Sequence, residues 1–286
     1  MTAFPDAIPI IPAIAQLAQG YDAWLCDVWG VMHNGVRAFP GAVDACRRFR
    51  ERGGTVLLVS NAPRPASAVA RQIGGLGVPQ DAYDAILTSG DLTRSLISKR
   101  PDQRLFHLGP ARDKPLFDGL DLQFAAAEEA EVIICSGLYN DDVETPSDYT
   151  SLLEAVARRR VPMICANPDL MVERGSRIVY CAGALAAEYE RLGGQVTYAG
   201  KPYRPIYERA FEMIADLRKG PVPLDRILAI GDGLKTDIRG AADAGIASIF
   251  VASAVHVPGE FDAAAVTRLF SGMDCRPIAA VPALVW

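Results

Sequence analysis

Four short stretches place reactive side chains directly after apolar runs. Ala23-Trp24-Leu25-Cys26 ends in Asp27, and Thr55 to Val59 ends in Ser60-Asn61. Val196 to Ala199 leads into Gly200-Lys201-Pro202, and Ile227 to Ile230 runs into Gly231-Asp232-Gly233, with Asp237 in the turn that follows. Two or three carboxylates at one point are hard oxygen donors and suit a divalent cation, Mg²⁺ before others. Ser60, with the backbone N–H groups of the next helix start, suits phosphate oxygens, and Lys201 adds a positive charge for the same group. An aspartate can also attack as a nucleophile and carry a phosphoryl group covalently. Each residue alone is as well explained by a turn or a cap. The combination points to phosphoryl chemistry.

For these residues to meet, the runs that carry them must be strands ending on one edge. Short apolar runs closed by a charge or a turn former read as buried strands. Between them lie helical patterns. Pro40 to Arg52 has Val43, Cys46 and Phe49 on one face and stops at Gly53-Gly54, and a further helix is expected from Pro65 to Leu76. The helix opened by Pro205 keeps Ile206, Tyr207, Ala210, Phe211, Ile214 and Leu217 at helical spacing, and Ile238 to Ala244 forms another. The alternation predicts an α/β fold with a doubly wound, mostly parallel sheet and right-handed crossovers, whose ligands bind at the carboxyl ends of the strands. The middle of the chain repeats the alternation, with strands at 105–108, 132–135 and 162–165 and helices at 147–159 and 183–192, but with different chemistry at the strand ends. Arg158-Arg159-Arg160 suits the negative pole of its helix and reads as a solvated end. The acidic loop Asp141-Asp142-Val143-Glu144 reads as solvated too.

A chain of 286 residues suggests one large or two medium domains, and half of it is apolar, enough for a sizeable core. The net charge of −5 is no footprint for nucleic acid. No Lys or Arg precedes Arg37, unlike the charged start of a signal peptide, and no apolar run is long enough to span a membrane. The six cysteines form no C-x-x-C pair and read as reduced, buried thiols of a cytoplasmic protein. His33, His107 and His256 show no zinc spacing. Neither a G-x-G-x-x-G nor a P-loop pattern occurs.

The four stretches, in their order, resemble the motifs of the haloacid dehalogenase superfamily: Asp27-Val28-Trp29-Gly30, Val56 to Asn61, Gly200-Lys201-Pro202, and Gly231-Asp232 with Asp237. About 140 residues separate the second motif from the third. The superfamily's subclass IIA carries a large α/β cap there, and Ala166-Asn167-Pro168-Asp169 and Gly183 to Glu188 also resemble that subclass. The resemblance implies a core of residues 1–88 and 196–286 with a cap of 89–195. It implies that Asp27 forms an aspartyl-phosphate; that Asp27, the backbone carbonyl of Trp29 and Asp232 hold Mg²⁺, with Asp237 in support; and that Ser60, Asn61 and Lys201 hold the phosphoryl group. The substrate would be a small phosphorylated metabolite of the sugar phosphate or nucleotide class. Asn167 and Asp169 could read its leaving group or simply form an Asx turn. Pairing of two copies through the cap is a further expectation.

One position departs from the family. Its phosphatases usually carry a second Asp two residues after the nucleophile, as general acid and base. Here that residue is Trp29, whose indole can do neither. A good leaving group would remove the need for an acid. His33 on the adjacent loop could move the proton, or hold the loop. The chain could also be a phosphate-binding or regulatory protein with little turnover. Trp29 itself could pack at the cap or serve as a platform for a ring.

Overall fold

A computed structural model describes residues 7–174, 177–252 and 261–286; His256 lies outside them. The strands are β1 (Ala23–Asp27), β2 (Thr55–Ser60), β3 (Ala85–Thr88), β4 (Arg104–Leu108), β5 (Gln123–Phe124), β6 (Val132–Cys135), β7 (Met163–Cys165), β8 (Met171–Arg174), β9 (Arg177–Tyr180), β10 (Val196–Tyr198), β11 (Ile227–Gly231), β12 (Ala247–Val251) and β13 (Ala279–Val281). The chain divides into two compact units. One takes in residues up to Ser60, Ala70–Leu87 and Tyr207–Trp286, and the other Asn61–Val69 and Thr88–Ile206.

The first unit is built on a six-stranded sheet of order β13-β12-β11-β1-β2-β3. β1 pairs in parallel with both β2 and β11, and β12 joins β11 to β13 in the same sense. β1, β2 and β11 are buried along their whole length. This is the behaviour of parallel strands covered on both faces, and it explains their unbroken apolar runs. Helix Pro40–Glu51 turns Val43, Cys46 and Phe49 inward, and Phe49 stacks on Trp24 at 3.9 Å. From β1 the chain moves to β2 and β3 on one side; β11 lies on the other. The direction of winding therefore reverses between β1 and β11, where open α/β sheets form their crevice.

The second unit holds a five-stranded parallel sheet of order β10-β7-β6-β4-β5 and a separate antiparallel ribbon, β8–β9. Leu153, Val156, Leu185 and Tyr189 form one cluster of its core, and Ile97, Leu116, Ile134 and Ile164 another. Its winding also reverses, between β4 and β6.

The boundary differs from the expected one. The expected core of 196–286 includes β10 and Lys201, but β10 pairs with β7, register Val196↔Met163 to Tyr198↔Cys165, and Ala199 N–H donates to Cys165 O at 3.0 Å. The backbone ladder thus carries Lys201 on the second sheet. Two solvated assignments also change. Asp141 is buried and paired with Arg112, and Arg159 donates to the carbonyls of Ala127 and Ala130 at 2.6 and 2.7 Å. All six cysteines are free and buried. Among the described residues no helix is long and apolar enough to cross a membrane.

Candidate active site

Asp27 ends β1. Its register partner is Val59, so Ser60 lies one step further along the same edge, and Cys26↔Ile230 sets Asp27 level with Gly231 and just short of Asp232. Carboxylate oxygens of Asp27, Asp232 and Asp237 all lie within 4.8 Å of one another at the β1/β11 reversal. Asp27 and Asp237 are buried, and Asp232 is half-buried. Asp237 stands in the π-helical turn Leu234–Ile238, where its Oδ2 accepts from Gly233 N–H at 3.1 Å and Thr236 Oγ at 3.3 Å. Two glycines make the approach possible. A Cβ on Gly30, whose φ is +84°, would lie 2.2 Å from Asp232 Oδ2, and one on Gly231 would lie 2.2 Å from Asp237 Cγ. Like charges this close and this buried are costly unless a cation neutralises them, and an all-oxygen donor set is what Mg²⁺ takes. The residues fit that ion.

The loop after β1 is tied to itself. Gly30 N–H donates to His33 O at 2.8 Å, and Gly35 N–H to His33 Nδ1 at 2.9 Å. The Trp29 ring meets His33 edge-on at 5.0 Å, and a Cβ on Gly35 would strike it at 2.5 Å. Trp29 thus packs on its own loop. His33 is 2 % exposed, and burial pushes its pKa down to about 4. It is a neutral ring with one nitrogen committed to the loop. The loop-holding role expected of His33 is the one this hydrogen bond serves.

The second unit gathers the remaining candidates. Asn61 Oδ1 accepts from Lys201 N–H at 2.8 Å, while its Nδ2 donates to Lys201 O at 3.0 Å and to Asp169 Oδ1 at 2.9 Å. Both amide hydrogens are engaged, and the Asn61 side chain braces the Lys201 backbone. Asp169 holds that brace. Asn167 Oδ1 accepts from Asp169 N–H at 3.1 Å, which is the Asx-turn alternative. Lys201 is 4 % exposed.

One group went unread in the sequence. His107 Nε2 lies 2.9 Å from Ser136 Oγ, and Asp113, 3 % exposed, hydrogen-bonds to the same serine. Burial raises Asp113 to about 6, against the pull of Ser136, Arg112 and Arg64. Ser136 follows an apolar strand as Ser60 does, and that signal could have found it.

A family profile described as haloacid dehalogenase-like hydrolase matches residues 24–123, and a second, HAD-hydrolase-like, matches residues 198–270. A crystal structure of a hydrolase of the haloacid dehalogenase-like family from Brucella suis 1330 is 47 % identical, covers 96 % of this chain and all of that one, and superposes with a TM-score of 0.86. The chain belongs to the haloacid dehalogenase-like hydrolase family. Within it, the ribonucleotide monophosphatase NagD of Escherichia coli K12 is 25 % identical over 83 % of this chain and 90 % of its own. The 5'-nucleotidase YutF of Bacillus subtilis is 21 % identical over 82 % and 88 %. The likeness to NagD agrees with the subclass IIA resemblance.

Proposed function

We propose that this hydrolase cleaves phosphate monoesters of small metabolites, with Asp27 as nucleophile and Mg²⁺ held by Asp27, Asp232 and the Trp29 carbonyl, supported by Asp237. The observation that carries the reading is the carboxylate triad at the winding reversal of a parallel sheet, with Asp27 at its strand's end. NagD and YutF, which are named as nucleotide phosphatases, support the phosphate class. Bound Mg²⁺ would neutralise charge on the phosphoryl oxygens. An Asp27 oxygen attacks phosphorus as the bond to the leaving oxygen breaks, and that oxygen departs with the electron pair and takes up a proton from solvent water. Water then attacks the aspartyl-phosphate, releasing phosphate and restoring Asp27. Ser60 and Lys201 hold phosphoryl oxygens, and Asn61, with Asp169 behind it, positions Lys201. Catalysis is mainly positioning and electrostatics.

A screen of phosphorylated metabolites and p-nitrophenyl phosphate with Mg²⁺ tests the reading, with Asp27→Asn as the control. Turnover abolished by the substitution is expected. Tight binding of phosphorylated ligands without turnover would favour instead the second reading, a phosphate-binding protein, to which the packing of Trp29 on Gly35 lends support.

A further inference from the structure

The second sheet has its own winding reversal, between β4 and β6, and polar side chains converge there. His107 comes from β4, Ser136 follows β6, and Asp113 lies in the 3-10 turn Ala111–Phe117 that leaves β4. A Cβ on Gly109 would fall 2.0 Å from Ser136 Oγ and 2.8 Å from His107 Nε2, so glycine is what lets the serine and the imidazole close. Around them, Arg112 forms a two-pronged pair with Asp141, and Arg64 is attracted by Asp113. His107 and Arg64 are half-buried and the Arg112 side chain is 51 % exposed, so the network reaches the surface on their side.

The charge balance of the group selects its ligand. Two arginines face two aspartates and a neutral imidazole, while Lys114 is exposed. A second anion or a cation would break the balance. A neutral group with many hydroxyls matches it, because carboxylate, hydroxyl, imidazole and guanidinium alternate as donors and acceptors within a few ångströms. The distance is suitable as well. β6 is two strands from β10, and neighbouring strands lie ~4.8 Å apart, so the Ser136 end is about 10 Å along the sheet edge from the end that carries Lys201.

We propose that the crevice between β4 and β6 is a subsite for a neutral, hydroxyl-rich part of the substrate, read by His107, Ser136 and Asp113 with Arg64 and Arg112. The proposal rests on the phosphate-monoester reading and names its substrate class: a phosphorylated sugar or polyol with a chain long enough to reach from Lys201 to Ser136.

The test compares ribitol 5-phosphate with p-nitrophenyl phosphate, which has no hydroxyl chain, in the native protein and in Ser136→Ala and His107→Phe. Phe keeps the ring that packs on Phe117 and removes the polar nitrogens. A site built to bond hydroxyls discriminates steeply. The expected result is a fall of about tenfold or more in kcat/KM for the polyol phosphate, carried by KM, with p-nitrophenyl phosphate within about twofold of native. An equal loss on both substrates would make the cluster structural, and no loss on either would leave it without a role in recognition; each overturns the proposal. If the native protein turns over neither compound, calorimetry of ribitol 5-phosphate on Asp27→Asn, with and without Ser136→Ala, decides the subsite separately from the catalytic reading. Affinity that depends on Ser136 upholds it, and equal or absent binding sinks it.

Discussion

By the resemblance of its first motif, Trp29 stands where a second Asp is expected, and the consequence is a question of where a proton goes. An alkoxide needs protonation as its P–O bond breaks, and neither an indole nor a His33 held neutral can give it. Among esters with no hydroxyl chain to engage the second sheet, the native protein should therefore hydrolyse acyl and aryl phosphates far better than alkyl phosphates. General acid–base help is worth roughly 10²–10⁴ in rate, so Trp29→Asp should recover at least the lower part of that range on alkyl esters. The check is kcat/KM over a series of esters of graded leaving-group pKa in both proteins; a flat native profile would mean another acid is at work. The metal reading makes a second prediction: Asp232→Asn should abolish or greatly weaken Mg²⁺ binding in calorimetry. The meeting of Asp27, Asp232 and Asp237 could be read from the sequence, because each closes an apolar run or follows one in the next turn. The work of Asn61 could not. It is fixed by a backbone 140 residues away, and nothing local to Asn61 signals that its amide is already engaged.

At the level of elements, the strands buried on both faces were legible because burial leaves an unbroken apolar run. The ribbon β8–β9 was not: its side chains Met171, Ile178 and Tyr180 are exposed, so no face pattern marks it, although Gly175-Ser176 between two short runs is a hairpin signal. β13 was hidden by Pro277 and Pro282, which an edge strand tolerates. Helix Ser89–Ser98 was missed despite its capping box, Thr88 with Asp91. The β1 turn can be tested against a control that nature supplies. Gly30 and Gly53 both have φ +84°, but a Cβ on Gly53 would meet nothing within 4 Å, whereas one on Gly30 strikes Asp232. Gly53→Ala should cost about 1 kcal/mol of stability and leave Mg²⁺ affinity unchanged. Gly30→Ala should cost at least as much and also lose the metal. Denaturation and calorimetry on the pair separate backbone strain from collision; equal Mg²⁺ affinity in both would mean that Asp232 does not need its present position.

Across the whole molecule, the titrating groups are divided unequally between the two units, and this predicts how each meets acid. His33 lies in the first unit, with its pKa lowered by burial to about 4. Unfolded, it binds a proton near pH 6.5, so between the two values the unfolded chain holds more protons. The stability from keeping it neutral is complete above about pH 6.5 and is lost as pH falls towards 4, on the order of 3 kcal/mol in all. In the second unit, burial and the charge of Lys114 likewise lower His107 to about 4, with the same sign. Asp113 has the opposite sign: burial raises it to about 6 from an ordinary value near 3.8, so the folded state holds the extra proton and stability rises as pH falls through that window. The two groups of the second unit therefore offset each other, and with the carboxylates of the first unit held charged by Mg²⁺ the His33 contribution stands unopposed there. Amide exchange followed from pH 7 to 4.5, corrected for the intrinsic rate, should show protection in β1, β2 and β11 falling by one to two orders of magnitude, on the scale of that ~3 kcal/mol. Protection in β4, β6 and β7 should fall much less. His33→Asn should flatten the response of the first sheet alone, and Asp113→Asn should steepen that of the second. Parallel losses in both sheets would show that the units open together and that the division of charge has no consequence for stability.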